Sequence, residues 1–417
     1  MTAEIISIGD ELLIGQTVNT NASWIGMECS LRGIRNNFVT VISDDEQAIR
    51  DAVGVAVKRS DIVFITGGLG PTKDDITKFT LADYFQTKLK CHEPTLKRIE
   101  AFFSSRNRPM LEANIRQADL PVDAVILDNI YGTAAGMWFE KEGCIVISMP
   151  GVPYEMKGIM LNEVFPRLVQ KGNLVSLYHY TLMTQGIGES FLADKISNWE
   201  ERVRNAGLGL AYLPSPGMVK LRLTSYEGAQ RKNEIEKFFK ELQDSFPRYV
   251  YGIQDESLSE VVGKLLMKNG STLGSVESCT GGALAHSLIS VPGSSEYFQG
   301  SLITYSNQLK VQLAGVVQDH ISEYTAVSKV VVEEMAIYGR IKLGVDYCIS
   351  TSGIAGPDGG TDEIPVGSVW VAVSDKNGVE SHCFRFGDNR ERNIQMTVLT
   401  ALNMLRCRIL GISFEKK

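Results

Sequence analysis

The alternation of short apolar runs with segments of helical periodicity constrains the fold of the first 150 residues most strongly. Apolar runs at 3–8 and 61–66 flank a stretch, 45–59, whose apolar residues recur every three or four positions. Strands that alternate with helices form βαβ units around a mainly parallel sheet, and such sheets bind ligands at the carboxyl ends of their strands. Gly9-Asp10 and the glycine-rich segment 67–71 directly follow the two runs, so we expect a ligand site there.

The length of the chain predicts more than one domain. A chain of 417 residues exceeds what one ordinary core organises, so we expect two or three domains. The strand and helix patterns along the chain divide it into three, at 1–171, 172–252 and 253–417. The middle segment has the pattern of a small α+β module, and the last that of a second α/β unit. The formal charge of −7 is mild, and Lys and Arg form no clear cluster, so nucleic acid is not an expected partner.

Cysteine usage and the absence of a leader pattern favour a cytoplasmic protein. The seven cysteines form no C-x-x-C pair, which predicts reduced, mostly buried thiols. The sequence does not open on a basic region followed by an apolar run, and no apolar stretch is long enough to span a bilayer. We therefore expect no membrane association.

Two short segments in the last third of the chain carry the parts of an amide-cleaving site. In SVESCTGG, Ser278 falls where a strand pattern gives way to small residues and then to a helix start. A serine hydroxyl needs a base, and Lys310, at the end of TYSNQLK, would serve if burial lowers its pKa. We expect the N–H groups of Thr280, Gly281 and Gly282 to stabilise an oxyanion.

Each of these residues also has a structural interpretation. Ser278 could be a helix N-cap, and from the residues alone that role and the nucleophile role are about evenly balanced. Lys310 by itself is typical of a solvated surface lysine. Cys279 is a rival nucleophile, but no histidine has an evident role beside it, so we expect a buried thiol. The glycine-rich loop after residue 352 could hold a phosphate, with Arg390 as a bidentate clamp.

Four motifs in the order VESCTGG, TYSNQLK, SGIAGPDGG and PVGSVW resemble the C-terminal domain of the CinA family. Members of that family resemble nicotinamide mononucleotide (NMN) amidohydrolases, which release ammonia and leave nicotinate mononucleotide. The resemblance implies a metal-free reaction in which Ser278 attacks the carboxamide carbon and Lys310 transfers the protons. The implied substrate-binding residues are Glu277, Thr280, Gly281, Gly282, Tyr305, Asn307, Ser352, Gly353, Ile354, Ala355, Gly356 and Arg390.

The resemblance is imperfect at the expected pair of arginines. Family members show Gly-Asp-Arg and a second Arg four residues later, whereas this chain has an additional Asn389 before Arg390 and carries Ile394 at the later position. Arg392 would then have to replace the second arginine of the clamp.

The N-terminal motifs resemble the three-layer α/β molybdopterin-binding domain shared with MoaB and MogA proteins. These motifs are TGGLGPTKDDIT, GDELL and NTN, and MPGVP fits the version fused to CinA. That version is similar to ADP-ribose pyrophosphatases that use a divalent cation (cobalt, magnesium or manganese). The resemblance implies Asp10, Asp74 and Asp75 as metal ligands, although the last two could simply cap a helix. It also implies contacts to phosphate or ribose from Asn19, Gly67, Gly68 and Gly70.

These resemblances predict a bifunctional pyridine-nucleotide salvage enzyme that acts on NMN and ADP-ribose. An alternative makes the N-terminal half a non-hydrolytic molybdopterin- or nucleotide-binding module, with only the deamidase active. A third hypothesis makes the protein a competence or DNA-damage partner that binds nucleic acid. The middle segment resembles the KH-type connector of CinA proteins, and we expect its Gly186-Ile187-Gly188 to be a tight turn. The resemblance also implies a homodimer.

Overall fold

The structure, a computed structural model, describes residues 1–72, 74–172 and 176–414. The chain divides into two compact units, the first formed by residues 1–178 and 226–230 and the second by residues 179–225 and 231–417. Both units combine helices with sheets, so the α/β fold class is confirmed.

The first unit is built on a six-stranded mixed sheet. Its strands and a separate pair are β1 (Thr2–Ile8), β2 (Arg35–Ile42), β3 (Ile62–Thr66), β4 (Leu89–Cys91), β5 (Asp119–Pro121), β6 (Val125–Leu127), β7 (Gly136–Lys141) and β8 (Cys144–Met149). Its α-helices are α1 (Asp10–Leu13), α2 (Thr20–Leu31), α3 (Glu46–Arg59), α4 (Thr77–Tyr84), α5 (Glu93–Ser104), α6 (Glu112–Ile115), α7 (Pro153–Ile159) and α8 (Phe165–Lys171). The sheet order is β2-β1-β3-β8-β7-β6, with β4 paired to β5.

Helices cover both faces of this sheet. Side chains alternate along a strand, so Ile5 packs with Ile25 of α2 on one face while Ile6 packs with Ile49 of α3 on the other. The central strands β1, β3 and β8 are parallel and almost continuously buried, as expected for a sheet between two helical layers. The predicted three-layer arrangement is therefore confirmed, and Gly9 and Gly67 follow β1 and β3.

The second unit contains two sheets. The smaller has the order β10-β11-β9-β12 and the larger the order β14-β13-β15-β16-β17. The strands are β9 (Tyr178–Gln185), β10 (Gly209–Ser215), β11 (Met218–Ser225), β12 (Val250–Ile253), β13 (Leu273–Glu277), β14 (Phe298–Ile303), β15 (Tyr347–Gly353), β16 (Ser368–Asp375) and β17 (Gly378–Arg385). The α-helices are α9 (Glu189–Lys195), α10 (Ser197–Asn205), α11 (Lys232–Ser245), α12 (Leu258–Asn269), α13 (Ala283–Ile289), α14 (Asn307–Ala314), α15 (Gln318–Tyr324), α16 (Lys329–Leu343) and α17 (Arg390–Leu410).

The larger sheet also packs between helices. Val276 of β13 lies against Met335 of α16, whereas Leu273 of the same strand packs with Leu402 of α17. Strand β13 is parallel to both β14 and β15. The carboxyl ends of these three strands therefore meet at one edge, where the segments that follow them come together.

The predicted tight turn at Gly186-Ile187-Gly188 is present. The N–H of Gly186 donates to the carbonyl of Gly217, and α9 begins directly after Gly188. The seven cysteines are free thiols, of which five are buried. Among the helices in the described ranges, none has both the length and the apolar composition needed to cross a membrane.

Candidate active site

Ser278 is held at the carboxyl edge of the larger sheet in the second unit. The strand β13 ends at Glu277, which is in register with Ile303 of β14 and Thr351 of β15. The N–H of Ser278 donates to the carbonyl of Thr351 at 3.0 Å, which extends the strand pairing by one residue. The chain then turns into α13, so the hydroxyl of Ser278 lies at the end of a rigid strand.

Lys310 approaches Ser278 from α14. The side chain of Ser306 caps this helix by accepting from the N–H of Leu309, and Lys310 follows one turn later. Its Nζ lies 2.9 Å from the Oγ of Ser278 and donates to the carbonyls of Thr304 at 3.0 Å and Tyr305 at 3.3 Å. The structure thus brings the two predicted catalytic side chains within hydrogen-bond distance.

The surroundings of Lys310 favour its neutral form. The residue is 2% exposed, and burial lowers the pKa of its amine because an ammonium ion loses its hydration there. In the neutral amine, two N–H groups suffice for the two carbonyls, which leaves the lone pair for the hydroxyl proton of Ser278. This arrangement is that of a base beside a nucleophile.

Glu277 has a structural role and does not line the pocket, contrary to the predicted substrate contact. The residue is 0% exposed, and its carboxylate accepts from the N–H groups of Gly282, Leu284 and Ala285 at the start of α13. It also accepts from the hydroxyl of Thr280. The carboxylate therefore anchors the turn formed by residues 278–282 between β13 and α13, which we call the elbow and which presents Ser278.

The predicted oxyanion role of Gly281 and Gly282 is wrong for the same reason. The N–H of Gly282 is used by Glu277, and the N–H of Gly281 donates to the carbonyl of Ser278 at 3.1 Å. Positive φ angles of 58° and 101° explain why glycine occupies both positions. Among the three predicted donors, and within the part of the chain that the structure describes, the N–H of Thr280 donates to no other residue, so it stays a candidate oxyanion donor.

A cavity of about 180 Å³ opens beside the serine–lysine pair. Its polar lining includes most of the predicted pocket residues, and Ala326 and Val327 add an apolar wall that the sequence did not reveal. The predicted residues that line it are Ser278, Lys310, Tyr305, Asn307, Ser352, Gly353, Ala355 and Arg390. Glu277, Thr280, Gly281, Gly282, Ile354 and Gly356 are not part of this lining. The cavity is smaller than one that encloses a whole drug-sized ligand, about 300–1,000 Å³, so it suits one ring.

The loop after β15 is tied to α17 at the mouth of this cavity. Arg390 donates to the carbonyl of Gly356 at 2.9 Å and to the hydroxyl of Tyr305 at 3.4 Å. The buried Asn393, one turn further along α17, donates to the carbonyls of Ala355 and Gly387. Sequence reasoning missed Asn393, because an asparagine inside a long helix is more often on the surface.

Arg392 does not join Arg390 at this cavity. Its side chain lines a different cavity, together with Met396 and Gly186. The suggestion that Arg392 replaces the second arginine of the clamp is therefore wrong. Because an α-helix has 3.6 residues per turn, side chains two positions apart, such as those of Arg390 and Arg392, lie on roughly opposite faces.

Cys279 is a poor nucleophile despite its place next to Ser278. It lines the cavity but is 6% exposed, and burial raises the pKa of its thiol to about 12. The thiolate, which is the reactive form, is therefore scarce at neutral pH. This finding confirms the expected buried thiol.

The predicted N-terminal residues lie at the carboxyl ends of β1 and β3. Gly67 and Gly68 have positive φ angles, and Gly67 passes so close to the backbone of Ile8 that no Cβ fits. Asn19 caps α2 through Ala22 and donates to Ser7. Asn19 thus has a structural task in addition to any ligand contact.

The carboxylates in this region do not form a ready-made metal site. Asp75 accepts from the N–H and hydroxyl of Thr72 and so stabilises its own loop. Asp44, which sequence reasoning missed, has a raised pKa because of burial and the negative charges of Asp10 and Asp74. In the described ranges, no three His, Cys, Asp or Glu side chains are arranged to hold an ion. The predicted trio of Asp10, Asp74 and Asp75 does not fit a preformed metal centre.

Comparison with known families covers nearly the whole chain. Residues 4–170 match the family described as "Probable molybdopterin binding domain", residues 179–252 the "Damage-inducible protein CinA KH domain", and residues 255–409 the "CinA C-terminal domain". A "CinA-like protein" of Cytophaga hutchinsonii is 43% identical over 406 residues, which are 97% of each chain. The chain belongs to the CinA family.

Further relatives share the full length. A "CinA-like protein" of Flavobacterium psychrophilum is 42% identical over 98% of this chain and 99% of its own. A "Putative competence-damage inducible protein" of Caldicellulosiruptor saccharolyticus is 39% identical over 99% of this chain and 100% of its own. These names state no reaction, so the reaction of this CinA protein has to be argued from its site.

Solved structures of CinA-related proteins also match part of the chain, and two of them serve as examples. The competence/damage inducible protein CihA from Agrobacterium tumefaciens is 33% identical and covers 36% of this chain and 96% of its own, with a TM-score of 0.35. The protein CinA from Thermoplasma acidophilum is also 33% identical and covers 41% and 96%, with a TM-score of 0.36. Since both scores are below 0.5, family membership rests on the full-length relatives.

Proposed function

We propose that this CinA protein hydrolyses the carboxamide of NMN to nicotinate mononucleotide and ammonia. The observation that carries the proposal is the 2.9 Å contact between the Nζ of Lys310 and the Oγ of Ser278 inside a small cavity. A buried amine next to a serine hydroxyl is the combination needed to activate the serine as a nucleophile. The family resemblance of the sequence motifs supplies the substrate.

The reaction divides into two halves with the same base. Lys310 takes the hydroxyl proton while Ser278 forms a bond to the carboxamide carbon. Lys310 then gives that proton to the departing NH2 group, the C–N bond breaks, and ammonia leaves an ester on Ser278. In the second half, Lys310 takes a proton from water as the water oxygen attacks the ester, and returns a proton to Ser278 as the acid leaves. Base assistance of this kind contributes about 10²- to 10⁴-fold in rate.

The size and lining of the cavity support the reacting end of NMN as its occupant, with the phosphate outside. Ala326 and Val327 offer an apolar wall to a pyridine ring, and the exposed Tyr305 lies at the mouth with its hydroxyl near Arg390. Arg390 donates one hydrogen bond to the loop, which leaves further N–H groups of its guanidinium for a phosphate.

Ammonia release from NMN tests the proposal. Ser278→Ala should lower kcat/KM by about 10³-fold or more, because the nucleophile is lost, and Lys310→Met by about 10²- to 10⁴-fold, because the base is lost. The exposed residues of the same unit provide matched controls, Ser322→Ala and Lys329→Met, which should keep wild-type activity. Undiminished turnover by folded Ser278→Ala would exclude the acyl-enzyme route.

A second candidate function belongs to the first unit. We propose that it hydrolyses ADP-ribose to AMP and ribose 5-phosphate. The glycine-rich loop after β3 favours binding of a phosphorylated ligand, because glycines expose backbone N–H groups. AMP formation from ADP-ribose, measured with a chelator and then with Co²⁺, Mg²⁺ or Mn²⁺, tests both the reaction and its need for a cation. Binding of ADP-ribose without AMP formation under any of these conditions would favour the non-hydrolytic alternative.

A further inference from the structure

The second unit contains a larger cavity against α17, apart from the one at Ser278. Its volume is about 590 Å³, within the range of about 300–1,000 Å³ that is typical of small-molecule sites. It is lined by the turns at 186–188 and 214–217, by the end of β17, and by Arg392 and Met396 of α17. None of its described lining residues also lines the cavity at Ser278, so the two cavities are distinct.

Three phenylalanines and two methionines give this cavity an apolar lining. The rings of Phe384 and Phe386 are parallel to within 1°, with centroids 5.8 Å apart, because residues two positions apart along a strand face the same side. Phe414 packs edge-on against Phe384, with centroids 6.2 Å apart. Met218 and Met396 add polarisable sulfur atoms, which make favourable contacts with aromatic rings. This lining favours a flat aromatic occupant over a flexible chain.

The charged side chains of this cavity favour an anion. Its described lining contains two arginines, Arg248 and Arg392, and one acid, Glu189. The guanidinium of Arg248 lies over the ring of Phe414, 4.5 Å from its centroid. Within the described residues, the side chain of the exposed Arg392 has no hydrogen-bond or ion-pair partner, and its main-chain N–H donates to Asn389. Its guanidinium can therefore offer two parallel N–H groups to a carboxylate.

We propose that this cavity binds an aromatic carboxylate. The ring system of the ligand lies against Phe384 and Phe386, and its carboxylate accepts hydrogen bonds from Arg392. Charge complementarity favours this occupant over a neutral ring, and the parallel phenylalanine rings favour it over an aliphatic acid. Neither Ser278 nor Lys310 lines the cavity, so the proposal holds whether or not the protein hydrolyses NMN. The site is therefore additional to both proposed reactions.

Calorimetric titration of the full chain with three probes tests the proposed chemistry. The probes are 2-naphthoate, its neutral analogue 2-naphthamide, and the aliphatic acid decanoate. We expect 2-naphthoate to bind about 10-fold or more tightly than 2-naphthamide, because the amide loses the charged hydrogen bonds to the guanidinium. Decanoate should also bind more weakly than 2-naphthoate, because its chain loses rotational freedom and cannot stack on a ring. Equal affinities for 2-naphthoate and either of the other probes, or no binding of 2-naphthoate at millimolar concentration, would overturn the proposal.

Two variants locate the ligand. Arg392→Met removes an exposed guanidinium, so the protein should fold normally, bind 2-naphthoate about 10-fold more weakly and bind 2-naphthamide as the wild type does. Phe386→Leu should weaken the binding of both aromatic probes by about 3- to 10-fold, because leucine has no aromatic face. The matched control is Arg390→Met, two positions away on the same helix but at the other cavity, which should keep wild-type affinity for 2-naphthoate.

The same variants can contradict the assignment. Weaker binding of 2-naphthoate in Arg390→Met but not in Arg392→Met would place the ligand in the cavity at Ser278. Wild-type affinity for 2-naphthoate in both Arg392→Met and Phe386→Leu would show that the ligand binds elsewhere. Either result overturns the proposal.

Discussion

Lys310 lies where water cannot hydrate its amine, and this burial has a cost for folding. A charged lysine in the unfolded chain is fully hydrated, whereas the folded site lowers its pKa. At pH values below the pKa that Lys310 has in the folded protein, the burial of its charged form therefore lowers the free energy of unfolding. In the proposed reaction, the neutral amine of Lys310 is the base that Ser278 requires, so stability and function oppose each other at this residue.

The first prediction follows from this cost and its pH dependence. Lys310→Met should unfold at a higher temperature than the wild type at neutral pH, since a buried amine whose pKa the fold lowers is replaced by an apolar side chain of similar length. Between the folded pKa and the ordinary lysine pKa of about 10.4, the unfolded chain binds more protons at this residue than the folded chain, so wild-type stability rises with pH in that window. The advantage of the variant should therefore shrink as the pH is raised, which thermal unfolding at a series of pH values would measure. A difference in unfolding temperature that does not change with pH would mean that packing of the new side chain causes it.

The helix α13 depends on a strand residue for its start. Three of its N-terminal N–H groups donate to the carboxylate of Glu277, so the cap comes from the end of β13 and not from the residue preceding the helix. The same carboxylate accepts from Thr280 in the elbow. Strand, elbow and helix are thus joined by one buried side chain, which fixes the direction of Ser278.

Removal of this cap should be costly. Glu277→Ala leaves several buried N–H groups unpaired, and we expect the free energy of unfolding to fall by about 2–5 kcal/mol. Chemical denaturation would measure the loss. The matched control is Ser257→Ala, which removes an exposed cap of α12 and should cost only about 0.5–2 kcal/mol. Similar losses of stability in the two variants would show that water takes the place of the Glu277 carboxylate as acceptor for the N–H groups of α13.

Asn393 fixes the loop at the mouth of the cavity, which leads to a third prediction. Asn393→Ala frees the carbonyls of Ala355 and Gly387, so we expect KM for NMN to rise about 10-fold with little change in kcat, because the serine–lysine pair is untouched. Steady-state ammonia release would measure both constants. Asn403→Ala is a suitable control, because this buried amide of the same helix binds Gln185 and the carbonyl of Arg248 instead. An unchanged KM in the Asn393 variant would mean that the loop is held by its other contacts.

The elements themselves were predictable to different degrees. The buried run of β3 was predicted within one residue, and β13 was predicted to end next to Ser278, because both apolar patterns are continuous and are followed by glycine or other small residues. Strand β10 was missed, since Gly209–Ser215 is half-exposed and contains a proline, which gives no clean alternation. Helix α15 was missed because its seven residues bury only Ile321.

At the scale of the whole molecule, the two candidate sites lie in separate compact units. Ser278 and Lys310 belong to the second unit, and Asp10 and the glycine-rich loop to the first. Sequence motifs predicted that the residues of both candidate sites follow the carboxyl ends of parallel strands, and the residues lie there, because that rule depends on topology alone. The motifs could not show which polar groups already form hydrogen bonds within the protein, such as those of Glu277, Gly282 and Asp75. The predicted homodimer stays a prediction.

Separate units predict separable activities. Ser278→Ala should abolish ammonia release from NMN and leave AMP formation from ADP-ribose unchanged, whereas Asp10→Asn should leave ammonia release unchanged. The reason is that each substitution changes a side chain that belongs to one unit only. Parallel assays of both products on each variant would measure this. Loss of both activities in Ser278→Ala, with the fold intact by circular dichroism, would show that the sites are coupled.

The buried thiol next to Ser278 bears on how the whole protein withstands chemical damage. With a pKa of about 12 and almost no exposure, Cys279 offers electrophiles and peroxides very little thiolate. Iodoacetamide or hydrogen peroxide should therefore leave ammonia release intact while the exposed Cys91 and Cys383 are modified, which mass spectrometry would record. A serine enzyme built in this way would continue to work through an oxidative burst that silences cysteine hydrolases.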